Sequence, residues 1–167
     1  SELYGALKLS RGGYPKDGFF LRAESFYNVA SEIERLDNIP AASPPIIDGY
    51  GGVSLHEQSH GESFMALAMN RFRGHGLYIL DEPEAALSPT AQMALLARLY
   101  ELARNDSQLI IATHSVIISA LPDADVYEIT EKGINKTEYV KTSHYNIMKH
   151  FINSPEKMVS DLTGKER

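Results

Sequence analysis

At 167 residues the chain is long enough for one domain with a real core, and 43% hydrophobic with 23% charged residues is ordinary for a soluble globular protein. A formal charge of -6 argues against a broad electrostatic nucleic-acid surface, though it leaves a local basic patch open. The lack of cysteine excludes disulfides and thiolate metal sites, and no apolar run approaches the ~20 residues that span a bilayer, so a soluble, cytoplasmic protein is predicted.

Residues 1–17 are mixed, with a Gly12-Gly13 turn and Pro15, and the start SELYGALKLSRGG lacks the long apolar region of a signal peptide. Gly18 to Ala23 is an apolar run of strand length. Phe26, Val29, Ala30, Ile33 and Leu36 then recur at helical spacing, with Ser25 as the candidate cap and Asn38-Ile39-Pro40 as the stop. Pro, Gly, Ser and Ala crowd the following stretch, so 38–56 is expected to be a flexible insertion. A second helix carries Phe64, Leu67, Ala68 and Phe72 on one face and stops at Gly74. Gly76–Leu80 and Leu109–Thr113 are continuous apolar runs of the kind found in parallel strands covered on both faces. Between them Ser88-Pro89 opens a long helix that runs to about Arg104. Residues 126–140 read as a hairpin around Glu131-Lys132-Gly133, and 144–167 as a helical tail interrupted at Ser154-Pro155. Strand, helix, strand with buried-type strands predicts a single α/β domain over residues 1–167.

The chemistry gathers where the strands end. In LYILDEPEAALSP, Asp81 and Glu82 follow directly on an apolar strand, and open α/β sheets bind ligands at that end. An Asp there can hold Mg²⁺, and a neighbouring Glu can orient or deprotonate an attacking water. The bland alternative is a pair of solvated acids at a strand–loop junction. The second apolar strand ends in Thr113-His114-Ser115. If the two strands are neighbours, His114 lies beside Glu82 and can hydrogen-bond a terminal phosphate; otherwise it is a polar residue capping a strand.

A third stretch, LHEQSHGESF, has two readings. His56-Glu57-Gln58-Ser59-His60 matches H-E-x-x-H, the pattern of zinc metalloproteases. Ser59-His60-Gly61-Glu62 instead suits a turn that opens a helix onto phosphate, or simply a capping box. The zinc reading is the remote alternative: Gly51-Gly52 precedes the pattern, Gly61 follows it at once, and Ser63 and Ala66 stand where its extended form needs Gly and His.

Taken together, these stretches resemble the ABC-type ATPases, and within them the small stand-alone bacterial members often labelled AAA-family ATPases. Leu77–Pro83 resembles the Walker B strand with its catalytic Glu, Ala85–Ser88 the D-loop, Ile111–Ser115 the switch-histidine loop, and Ser59–Glu62 the signature turn, in the family's order. His60 and Glu62 depart from the S-G-G-Q signature, and Ser88 stands where many members have Asp. The resemblance spans about Phe19 to Phe151 and implies a P-loop NTPase-like (ABC-class) parallel-sheet domain with ATP and Mg²⁺ as ligands. It implies Asp81 for the metal, Glu82 as catalytic base and His114 as γ-phosphate sensor, with Ser59 and Gly61 acting on nucleotide across a dimer and Ser88 in the dimer contact.

The family's G-x-x-x-x-G-K-[ST] loop does not occur, and the Gly164-Lys165 pair has no Gly-rich loop before it. No Gln precedes Gln58 to serve as a Q-loop glutamine. The expectation is therefore an incomplete domain lacking the P-loop strand and helix: the C-terminal, hydrolytic part of a longer ATPase, inactive alone, with a homodimer partner or a second ATPase half as its partner. The competing expectations are a non-catalytic ABC-fold interaction module, a transporter's nucleotide-binding subunit and, remotely, the zinc protease. What such a switch would act on is not legible.

Overall fold

The computed structural model describes residues 14–22, 26–40 and 43–164. The Gly12-Gly13 turn, the Ser25 cap, the Ala23 strand end and Lys165 lie outside the described residues. Three parallel strands form the main sheet in the order β1 (Asp17–Arg22), β2 (Gly76–Asp81), β3 (Gln108–Ala112). Their register sets Phe19 beside Tyr78 beside Leu109, and Leu21 beside Leu80 beside Ile111. That face carries the core. Against it lie α1 (Phe26–Asp37), α2 (His60–Asn70) and α3 (Pro89–Arg104), which contribute Phe26, Ala30 and Ile33; Phe64, Leu67 and Ala68; and Leu95, Leu99 and Leu102. Phe72 packs at 5.6 Å from Phe19 and 4.6 Å from Tyr78, and Phe26 meets Phe64 edge-on at 6.1 Å. The α/β class and parallel sheet are as expected.

The other face differs from expectation. Phe20, Ile79 and Ile110 share one register row on it; Phe20 is 65% and Ile110 51% exposed. The apolar runs were read as strands covered on both sides, but β3 alternates between half-buried and exposed. Topology is the reason. Strands laid side by side in sequence order, with crossovers of one hand, put every connecting helix on the same face.

Within 38–56, expected as a flexible insertion, residues 43–56 fold back onto α1. Both Asp37 carboxylate oxygens accept backbone N–H bonds, from Ile46 at 2.6 Å and Ile47 at 2.9 Å. A 3₁₀ turn follows over Ile46–Tyr50, and Tyr50 and Leu55 enter the core. The Ser54 hydroxyl donates to Glu34, a second tie to α1. The apolar side chains within this polar stretch drive the folding back.

The long helix α3 starts as its sequence dictates: Ser88 caps it through the Ala91 N–H at 3.2 Å, and Pro89 takes the first helical position, where no N–H is needed. α2 ends at Asn70 rather than Gly74, and Leu36, read onto the buried face of α1, is exposed. β4 (Val126–Thr130) and β5 (Gly133–Thr137) form the antiparallel hairpin, with its second strand shorter than predicted because Tyr139–Lys141 turns as 3₁₀ helix. The tail is α4 (Ser143–Asn153), capped by Thr142, and α5 (Pro155–Thr163).

Candidate functional site

The site is built at the carboxyl ends of β2 and β3. Because these strands pair in parallel, with Asp81 opposite Ala112, the residues following each emerge side by side. Asp81 closes β2. Its Oδ2 accepts from Arg22 Nε at 2.8 Å, and Arg22 is its register partner on β1. Both side chains are partly solvated, so this pair contributes little to stability. It does establish that the Asp81 carboxylate faces a cation.

Glu82 leaves the strand with φ +50°, a left-handed conformation that costs a non-glycine residue of order 1 kcal/mol or more. Two backbone bonds hold it there: Glu82 N–H to Ala112 O at 2.9 Å, and Ala85 N–H to Glu82 O at 3.1 Å. Its carboxylate, about half exposed, stands 3.5 Å from Nε2 of His114, which is itself 80% exposed. The condition on His114 is therefore met: the strands are neighbours, and the two groups face one another in solvent-accessible space. The His114 ring also stacks against His144 from α4, with centroids 6.5 Å apart.

Glu84 bridges the two loops. One carboxylate oxygen accepts from the Thr113 hydroxyl and the other from the His114 N–H, both at 2.6 Å. Thr113 Oγ1 in turn accepts from Ser115 N–H at 3.0 Å. The Ser115 hydroxyl donates to Gln92 at 2.6 Å, and Gln92 donates to Leu87 O at 3.0 Å. A hydrogen-bonded chain thus runs from the β2 loop through the β3 loop to the start of α3.

Ser59 and Gly61 open α2. The capping box forms fully: Glu62 N–H donates to Ser59 Oγ at 3.3 Å, while the Ser59 N–H and hydroxyl donate to Glu62 Oε2 at 2.9 and 2.7 Å. The Ser59 hydroxyl and then its N–H hold the Glu62 carboxyl below its usual pKa. Gly61 lies against the loop after β2. A Cβ added there would come within 2.7 Å of Ala86 O, so the glycine allows this turn to touch the 84–87 segment. Ser88 is engaged as the α3 cap. The structure therefore gathers Asp81, Glu82 and His114 at one edge, sets Gly61 against the neighbouring loop, and gives Ser59 and Ser88 capping bonds within this chain.

H-E-x-x-H does not form its helical pair. Residues 55–58 are turn and bend, Ser59 is extended, and α2 starts only at His60, so His56 and His60 are not one turn apart on a helix. His56 Nε2 instead lies 3.2 Å from Ser31 Oγ and 3.8 Å from Glu34. Both histidines line a shallow cavity of about 70 Å³ between α1 and α2. Among the described residues no three His, Cys, Asp or Glu side chains are grouped to hold a metal.

The contacts of Arg22, Glu84 and His144 at this edge were not legible in the sequence. Glu84 had a signal, being an acid two places past Glu82 behind a proline. Arg22 lay one place before the end of a predicted strand. Nothing local marked His144.

Residues 13–120, well over half the chain, match a family model described as "AAA domain, putative AbiEii toxin, Type IV TA system". A 69-residue stretch, 41% of this chain, is 44% identical to the chromosome partition protein Smc of Mycolicibacterium paratuberculosis (strain ATCC BAA-968 / K-10). The match covers 6% of that relative's length. No solved structure matches the chain.

Proposed function

The chain belongs to this AAA-domain family of P-loop NTPases, and from that membership we propose that it supplies the hydrolytic half of a dimerising, ABC-type ATPase switch. Nucleotide-binding ATPase chemistry comes with the family; the assignment to particular residues rests on the strand-end geometry. The observation that carries it is Glu82, held at φ +50° at the end of the central strand with its carboxylate 3.5 Å from His114. Such strain clusters where chemistry is done, and of the described non-glycine residues with positive φ (His75, Glu82, Asp106 and Asp123) Glu82 alone follows the carboxyl end of a strand.

In this reading Glu82 orients the attacking water and accepts its proton, and His114 donates a hydrogen bond to the terminal phosphate of ATP. Asp81 is the metal ligand in this reading by its place at the carboxyl end of β2, and Arg22 would have to shift from its carboxylate for Mg²⁺ to bind. Bound there, the metal would neutralise phosphate charge. The 167 residues hold no G-x-x-x-x-G-K-[ST], so the phosphate cradle comes from another segment or subunit. Ser59 and Gly61 act across the dimer, and Glu62 must release Ser59 before that hydroxyl can reach phosphate. Ser88 lies in the dimer contact. The same missing cradle supports the second reading, a non-catalytic interaction module of ABC fold.

The test is Mg²⁺-ATP hydrolysis by the full-length gene product beside its Glu82→Gln variant. Turnover that collapses in the variant, by a hundredfold or more, supports the switch. Absence of turnover in the unaltered protein leaves the interaction module.

A further inference from the structure

We infer that Glu84 is the positioning residue that sets His114 against Glu82, an inference that rests on the ATPase reading for its consequence but not for its geometry. His114 is 80% exposed and gains little from packing. What fixes it is its backbone. Its N–H donates to Glu84 Oε1 at 2.6 Å across 30 residues of sequence, while Thr113 Oγ1 donates to Glu84 Oε2 at 2.6 Å. Bonds to a carboxylate are shorter and about twice as strong as neutral ones, so this is the firmest polar link between the two strand ends.

Glu84 also stands on the same turn as Glu82. The Ala85 N–H bonds Glu82 O, and the Leu87 N–H bonds Glu84 O at 2.9 Å. One rigid turn therefore carries the proposed base at its first position and the clamp for the histidine at its third. Pro83 between them fixes φ and stiffens the turn. Without the clamp, the backbone at 113–114 loses its side-chain tie to the β2 turn; the Ser115–Gln92 link to α3 lies beyond the histidine, and the His144 ring touches only its side chain.

A group that merely closed a turn would change stability alone. A positioning group changes turnover at constant substrate affinity, and its conservative variant recovers part of the effect. Glutamine at 84 keeps one acceptor oxygen and loses the other, so it retains one of the two bonds.

The experiment uses the full-length gene product with Glu84→Ala and Glu84→Gln. Amide hydrogen exchange at His114 is read by NMR, and Mg²⁺-ATP turnover beside it. Expected in Glu84→Ala is at least tenfold faster exchange at His114, with the Leu80 amide unchanged. Turnover should fall tenfold or more in kcat with KM within twofold, and Glu84→Gln should lie between. A protected His114 amide in Glu84→Ala, or a deprotected one with kcat unaltered, overturns the assignment. If the unaltered protein has no turnover, the ATPase reading fails separately. The clamp is then judged by exchange and by loss of the His114–Glu82 nuclear Overhauser contact, whose persistence in Glu84→Ala overturns it.

Discussion

Two residues show local preference overruled by neighbours. Gly61 lies in the first turn of α2, where alanine would favour the helix by about 1 kcal/mol. A Cβ there would meet Ala86 O at 2.7 Å, and that carbonyl belongs to a turn held by Glu84 and Gln92. Overpacking of this kind costs about 1–3 kcal/mol, so Gly61→Ala is expected to lower the melting temperature despite its helix propensity. A scanning-calorimetry trace unchanged or shifted upward would mean the 84–87 segment yields. Asp17, at the opposite end of the sheet, accepts two bonds from Arg71 at 2.8 and 2.9 Å and one from Tyr78 at 2.9 Å. Burial raises its carboxyl pKa, but the Arg71 and Tyr78 bonds outweigh it and hold the group below its usual value. A lowered folded-state pKa stabilises above the unfolded value near ~3.9, and the contribution disappears as pH falls through the folded value. Asp17→Asn should therefore cost about 2 kcal/mol at pH 7, and its gap from wild type should close below about pH 4. Urea titrations at the two pH values check this; a gap independent of pH would assign the effect to packing.

Between elements, one side chain does what a helix-ending glycine does elsewhere. α2 ends without one, and Arg98 from α3 reaches over to its end, donating to Ala68 O in the last turn at 3.2 Å and to Phe72 O just past it at 2.7 Å. Replacing Arg98 by Met keeps the apolar stem and leaves those carbonyls short of donors, a loss of about 1–2 kcal/mol; Lys, a single point donor, should recover only part of it. Equilibrium unfolding of the two variants decides, and equal stabilities would show that water serves the carbonyls as well. Such links mark the limit of sequence reading here. The α3 boundaries were legible because Ser88 and Pro89 act on their own neighbours, and Asp81, Glu82 and His114 because each closes an apolar run. Arg22 meets Asp81 across 59 residues and Glu84 meets His114 across 30, so neither partnership leaves a local pattern. The two-sided burial read for β3 failed for a related reason: an apolar run states what a strand tolerates, and topology decides what covers it.

At the scale of the molecule, the bare sheet face is the feature most at odds with the rest. None of the described helices is long and apolar enough to cross a membrane, so lipid contact by such a span does not account for it. Phe20, Ile79 and Ile110 lie in one row across the sheet, and among the described residues β1 and β3 each have one unpaired edge. Exposed apolar faces beside open edges drive association. The 167-residue chain should therefore self-associate with rising concentration and bind an apolar dye. Phe20→Thr with Ile110→Thr should reduce both, since threonine keeps strand propensity while adding a hydroxyl. The site should be unaffected, because Glu82 and His114 are positioned by the strand ends and by Glu84 rather than by this face. Sedimentation velocity and dye fluorescence read the association, and the melting temperature separates two causes. If association falls and the melting temperature holds, the face is open in solution. If the melting temperature falls by several degrees, the two side chains are buried there, and the apolar row is part of the core rather than its uncovered back.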